Sequence, residues 1–295
     1  DYAVTGVQTC ALPISAAINR EIGALVLNIT LPAFIITSMD FPFSPEVLKD
    51  SALLILISFA VYGVSILISK AYTHITKSKG SGRPVLEYVI IFSNSGYMGY
   101  PVVYEIFGEK GVFYAAIYNM AFNILVWSYG VHLLRVKGTE VQMDLASRLK
   151  KIFNPGLIAL IIGYTLFLTG TKLPEGISKV LEMVGQTTTP LSMMFIGFIL
   201  TEVSLKDALK DWHVWGVSAL RLAIIPGLTF ITLTALGFTG LTLMIPVLIA
   251  AMPAAANTAI FASQLGGDYR TGSLMIFTST LLSVITIPVL MYLIR

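Results

Sequence analysis

Two apolar segments of this chain are long enough to cross a bilayer and yet are broken in the middle. Residues 90–107 read IIFSNSGYMGYPVVYEIF, and residues 248–266 read LIAAMPAAANTAIFASQLG. Each carries proline, small residues and asparagine where a lipid-facing helix would carry leucine and isoleucine. Hydrocarbon supplies no hydrogen-bond partner, so interrupted backbone persists there only where protein or a wet cavity satisfies its N–H and C=O groups. Two such segments, one in each half of the chain, are the pattern of a midplane binding site built from discontinuous helices.

A soluble reading fails on composition. The 295 residues are 56% hydrophobic and 12% charged, against about one quarter charged in soluble domains. A soluble α/β enzyme also has apolar runs, but they are short and alternate with charged amphipathic helices. Here the runs recur at spanning length, approximately at 22–38, 51–69, 85–107, 112–134, 155–170, 179–200, 212–235, 241–264 and 271–293. Several are short, as tilted or interrupted helices are. The fold class is therefore an all-α polytopic membrane protein. The single Cys10 excludes an intrachain disulfide framework or a thiolate cluster. His74, His132 and His213 show no zinc-site spacing, so no metal and no cofactor are expected. An enzyme is not expected either, because the chain contains no HExxH, no nucleophile elbow and no paired catalytic carboxylates. The net charge of +3 is modest and gives no sign of a nucleic-acid partner.

Where the cations fall sets the orientation. Numbering the connections alternately puts Arg20, Lys70, Lys77, Lys79, Arg83, Arg135, Lys137, Arg148, Lys150, Lys151, Lys206, Lys210 and Arg270 on one side. The other side receives Lys49, Lys110, Lys172, Lys179 and Arg295. The positive-inside rule then places the 70–84 and 135–154 loops in the cytoplasm and the C-terminus outside, in a multi-pass protein of the plasma (bacterial inner) membrane. Nine spans suit a five-plus-five inverted repeat if one N-terminal helix is absent. The expected organisation is a leader at 1–15, a first repeat lacking its first helix at 16–134, a cytoplasmic linker at 135–153 and a second five-helix repeat at 154–295. The leader, DYAVTGVQTCALPIS, is too polar and too short to span. It reads as a translated sequencing-adapter fragment; a short native N-terminus is the alternative. It does not have the form of a signal peptide.

From about Ile18 to Arg295 the chain resembles the auxin efflux carrier family, in its bacterial malate-permease-like branch. The resembling stretches are LNITLPAFIITSM at 27–39, SNSGYMGYPVVYEIFGEKGVFYAAIYNMAFNI at 93–124, NPGLIALIIG at 154–163 and IPVLIAAMPAAANTAIFASQLGGD at 245–268. The second and fourth are specific together. The resemblance implies ten helices in two inverted five-helix repeats, with fourth and ninth helices that cross where they are broken. It also implies transport of an organic anion.

The residues supply their own chemistry for that task. Pro101 lacks an amide proton and opposes a continuous helix, while Gly96 and Gly99 permit close backbone approach. Asn94 offers a carboxamide acceptor and two donors beside the opening. In the second half Pro253 breaks the helix, Ala254–Ala256 keep it narrow and Asn257 supplies the polar group. Helix-start N–H groups attract a carboxylate without a permanent cation. Asn119 and Asn123 share a helix face, which should turn toward protein or the site rather than lipid; interhelical hydrogen bonding is the alternative role. Tyr97, Tyr100, Tyr104 and Tyr118 are either path-lining or packing residues. Asn28 with Pro32 forms a milder break, paralleled by Thr187–Pro190. Glu105 is a gate or coupling carboxylate, or else a headgroup-level residue. Arg221, deep in the 212–235 span, either attracts anions or stabilises the bundle.

The function expected is secondary transport of small organic anions, malate- or malonate-type dicarboxylates, by alternating access with coupling to protons or sodium ions. The partners are then a small organic carboxylate and the lipid bilayer, with a homodimer as one assembly. Efflux of an auxin-like hydrophobic weak acid is the main alternative, and an anion channel a further one.

Overall fold

The computed structural model describes residues 16–135, 152–201, 211–265 and 267–294. The leader at 1–15 with Cys10, nearly all of the 135–153 linker, and Lys206, Lys210 and Arg295 lie outside the described residues.

The described residues are helical, with no strand among them. In chain order the helices are α1 (Ile18–Ser38), α2 (Pro45–Ile75), α3 (Gly82–Ile91), α4 (Ser95–Leu134), α5 (Pro155–Thr169), α6 (Glu175–Gln186), α7 (Thr188–Ile199), α8 (Trp212–Ala235), α9 (Gly240–Ala250), α10 (Thr258–Gln264) and α11 (Tyr269–Leu293). Five of them, α1, α2, α4, α8 and α11, are each long and apolar enough to cross a membrane. The helix α5 and the half-helix α9 are shorter apolar pieces. Large side chains such as Leu56, Leu67, Ile231, Val284 and Ile285 are more than 60% exposed. Such a surface is stable against hydrocarbon rather than water.

Local sequence accounts for the ends and turns. Asn154 begins α5 by accepting the Leu157 amide at 3.0 Å, with Pro155 following in the first turn. Gly170 ends α5 in the left-handed conformation. Asp268 caps α11 by accepting from the Thr271 amide at 3.1 Å. Gly108, at φ +65°, reverses the chain inside α4. In a straight helix Val103 and Gly111 would stand about 12 Å apart, yet a Cβ on Gly111 would lie 3.0 Å from Val103 Cγ1. The windows 85–107 and 112–134 of the sequence are therefore separate spans that meet at Gly108.

Four π-helical turns interrupt the long helices, at Val26–Thr30, Ser95–Gly99, Val126–Gly130 and Leu220–Ile224. In each the first residue's carbonyl accepts from the amide five residues on, and in three of them, at Leu31, Tyr100 and Ile225, a proline follows that amide. These are Pro32, Pro101 and Pro226. With no N–H to donate, each proline leaves a carbonyl of the preceding turn free, and one wide turn relieves the clash.

Small residues let the helices close on one another. A Cβ on Gly163 of α5 would meet Met39 Cβ at 2.8 Å, and one on Gly185 of α6 would meet Phe34 Cα of α1 at 2.9 Å. The largest buried cluster runs from Val26, Phe34 and Met39 through Tyr100, Phe113 and Ile117 to Val247, Leu248 and Met252. It borders the point where the two broken spans meet, where Phe92 and Ala255 belong to a second cluster and Ala254 to a third.

Candidate functional site

At that point the chains of the two breaks pair as a minimal antiparallel ladder. Phe92 leaves α3 in an extended conformation, and Ser93 and Ala254 stand opposite each other. The Asn94 amide donates to the Pro253 carbonyl at 2.8 Å, and the Ala255 amide donates to the Phe92 carbonyl at 3.0 Å. The Ala254 amide, which faces away from the ladder, donates to Ser279 Oγ of α11 at 3.1 Å. Each buried amide or carbonyl left unpaired here would cost about 1–3 kcal/mol, so the two unwound stretches satisfy each other.

Pro101 and Pro253, the prolines that break the two apolar segments, read in the sequence as the crossing pair, and only Pro253 lies in it. The ladder rests on residues 92–94 and 253–255, whereas Pro101 lies further along α4, inside the helix and after its π turn. Pro101 shapes the turn that presents Gly96 and Tyr97; it does not form the crossing. Proline was legible as a breaker, but its effect falls on the turn before it.

Beside the ladder lies a cavity of about 230 Å³. Six asparagines line it: Asn28 from α1, Asn94 at the break, Asn119 and Asn123 from α4, Asn154 at the start of α5, and Asn257 at the second break. Ser93, Ser95, Gly96, Tyr97, Tyr100, Ala255 and Ala256 add backbone and hydroxyl groups, and Leu27, Leu31, Ile35, Phe122, Trp127 and Leu160 add apolar wall. No Asp, Glu, Lys, Arg or His is among the lining residues. Three of the four π turns contribute to the wall, through Asn28, through Ser95–Tyr97 and through Val126–Trp127.

The asparagines differ in how fully they are bonded. Asn94 accepts from the Tyr97 amide at 3.3 Å and so caps the start of α4. Asn257 Oδ1 accepts from the Tyr88 hydroxyl at 3.4 Å. Asn123 donates to the Asn119 carbonyl at 3.1 Å and accepts from Asn154 Nδ2 at 2.9 Å, tying α4 to the start of α5. Asn119 is 2% exposed; the Tyr100 hydroxyl stands close to its carboxamide, but no protein group meets full hydrogen-bond geometry with its Oδ1 or Nδ2. Such an orphaned buried carboxamide is uncommon in a folded protein and is suited to a ligand's oxygen atoms.

The structure thus brings Asn94, Gly96, Asn119, Asn123 and Asn257 to one cavity. Gly99 and Pro253 stay behind it: a Cβ on Gly99 would press on Ile249 at 3.1 Å, and Pro253 serves through its carbonyl. Glu105 is exposed and does not line the cavity. Tyr104 and Tyr118 pack elsewhere, Tyr104 edge-on to Phe34. Arg221 is on the opposite face of the crossing, buried, with its guanidinium against backbone carbonyls. Asn154 is the site residue that sequence reasoning missed. The signal available was an asparagine before proline at a helix start, which by itself reads as a cap.

Comparison with known proteins agrees with this architecture. Residues 14–291 match the family described as membrane transport protein. An "Uncharacterized transporter" of Methanothermobacter thermautotrophicus is 30% identical over 278 residues, covering 93% of this chain and 87% of that protein. A protein of Rhizobium meliloti named "Putative malonate transporter" is 23% identical over 69% of this chain and 65% of its own length. The "Uncharacterized transporter YfdV" of Escherichia coli K12 is 22% identical over 94% of this chain and 88% of its own. A match over nearly the whole chain, on a helical membrane fold, makes this protein a member of the membrane transport protein family, the family of the auxin efflux carriers.

Proposed function

We propose that this protein is a secondary carrier of small dicarboxylates of the malate or malonate type, working by alternating access around the crossing. The observation that carries the reading is the cavity beside the ladder, where six carboxamides converge with no fixed charge and Asn119 has no partner of its own. Neutral donors at the start of a helix hold a carboxylate without the permanent ion pair that would slow its release. Asparagine suits this role because its Nδ2 donates to carboxylate oxygens and its Oδ1 accepts from a hydroxyl such as that of malate. The volume of about 230 Å³ suits a compact organic anion. The name of the Rhizobium meliloti relative supports the same class.

In this reading the two halves are inverted repeats, with α3, the first part of α4, α9 and α10 as the broken helices that carry the site. The cavity runs from the crossing to Asn154, which directly follows the basic 135–153 stretch in the sequence. With that segment cytoplasmic by the positive-inside rule, the conformation is the inward-facing one. Rocking of one group of helices against the other exposes the same asparagines to the opposite side. No covalent step is involved.

The test is uptake of radiolabelled malonate and malate into proteoliposomes under imposed ion gradients. Saturable uptake, competed by unlabelled dicarboxylate and not by a hydrophobic weak acid, is the expected result. Folded protein with no saturable uptake of any three- to five-carbon dicarboxylate would overturn the substrate class. Unitary currents in a planar bilayer would overturn the carrier mechanism in favour of a channel.

A further inference from the structure

Arg221 is a fully buried charge, and the carrier cycle described above makes no use of it. It sits in the π turn of α8 and is 2% exposed. Among the described residues no carboxylate forms an ion pair with it. Its guanidinium donates instead to four backbone carbonyls. Nε reaches Met252 O at 3.0 Å, Nη1 reaches Ile90 O at 2.9 Å and Ile91 O at 3.3 Å, and Nη2 reaches Ala250 O at 3.0 Å.

Those oxygens have a common origin. Ile90 and Ile91 close α3, Ala250 closes α9, and Met252 belongs to the unwound stretch just after it. The last carbonyls of a helix have no partner within it and carry roughly half a negative charge in sum. Two helices of ten and eleven residues end on this one side chain, so about one unit of negative charge meets one fixed positive charge. A dehydrated cage of carbonyls at converging half-helix ends is also what carriers built from broken helices offer to a sodium ion.

We propose that Arg221 is a resident cation that fills this carbonyl cage, so that anion binding on the other face of the crossing requires no sodium or other inorganic cation. The inference rests on the carrier reading and narrows its coupling. Ser93 borders both compartments, the asparagine-lined cavity on one face and the surroundings of Arg221, with Tyr62 and Tyr118, on the other. The guanidinium cancels the negative helix ends behind the crossing. The Asn94-capped start of α4 then acts on a carboxylate without opposition. Arg221 is a positioning residue: it touches the backbone of the crossing and not the substrate.

The experiment uses the full chain, purified and reconstituted, with malonate as the transported probe. Replacing sodium chloride by choline chloride should leave wild-type malonate uptake and unfolding temperature unchanged. Arg221→Ala should lose uptake and unfold at lower temperature, and millimolar methylguanidinium should raise the variant's unfolding temperature while leaving the wild type unmoved. Uptake by the variant should recover about tenfold with the same additive, and Arg221→Lys, with one charge and fewer donors, should fall between. A wild type that loses about tenfold of its uptake without sodium, or is thermally stabilised by sodium, would overturn the proposal. So would a folded Arg221→Ala that methylguanidinium does not stabilise. If Arg221→Ala does not fold, the sodium comparison on the wild type decides alone. Absence of malonate uptake together with methylguanidinium-specific stabilisation would defeat the substrate reading and uphold this one.

Discussion

Replacing Asn119 by alanine separates a binding residue from a structural one. Most buried polar side chains in this fold support the backbone, and removing one leaves its partner stranded. Asn119 is different, since its carboxamide is buried and neither of its polar atoms is bonded to protein. Asn119→Ala therefore strands no backbone group and costs at most the contact with the Tyr100 hydroxyl. Stability should stay within about 1 kcal/mol of wild type or rise. A carboxamide contact to a charged ligand is worth about 1.5–3 kcal/mol, so malonate affinity should fall by about 10- to 150-fold. Asn154→Ala is the control, because that residue caps α5 and bonds to Asn123 at 2.9 Å. Loss of the cap alone should destabilise by about 0.5–2 kcal/mol. Malonate binding by calorimetry and thermal unfolding of both variants are measured in parallel. Unchanged affinity in Asn119→Ala, or a stability loss equal to that of Asn154→Ala, would refute the reasoning.

Three further outcomes follow from the crossing and its surroundings. Ser279→Ala strands the buried Ala254 amide and should destabilise by about 1–3 kcal/mol, read as a lowered unfolding temperature. Pro101→Ala should shift stability by only about 1 kcal/mol in either direction and preserve uptake, because the ladder rests on residues 92–94 and 253–255; abolished uptake in folded protein would restore Pro101 to the crossing. Glu105→Gln changes an exposed position away from the cavity, so stability should move by no more than about 0.5 kcal/mol and the pH dependence of uptake should stay the same.

The membrane fold was legible because its signals are local. Apolar runs of spanning length and the polar and breaker residues inside two of them each announce themselves in a few residues. The breaks were visible as Ser93–Asn94 and Pro253–Asn257 amid aliphatic sequence. Their register was not, because the pairing partners are backbone groups 160 residues apart in the chain, and a backbone group has no sequence signature. The same reason hid the role of Arg221, whose four partners are all carbonyls. Pro32 and Pro101 were readable as helix breakers, yet each acts by widening the turn before it. Asn119 and Asn123 were readable as a polar face. Which of the two is tied to another helix depends on Asn154, 31 residues beyond Asn123 in the chain. Asn154 could not be assigned to the site from sequence because capping explained it fully.

The central claim is that a dicarboxylate sits beside the crossing within reach of the asparagines at both breaks. A structure of the full chain with malonate bound tests it most directly. The account predicts carboxylate density in the asparagine-lined cavity, with oxygens in hydrogen-bond contact with Asn119 and with Asn94 or Asn257, and Arg221 still on its carbonyls. Density outside that cavity, or a malonate bound directly to the Arg221 guanidinium, would contradict it.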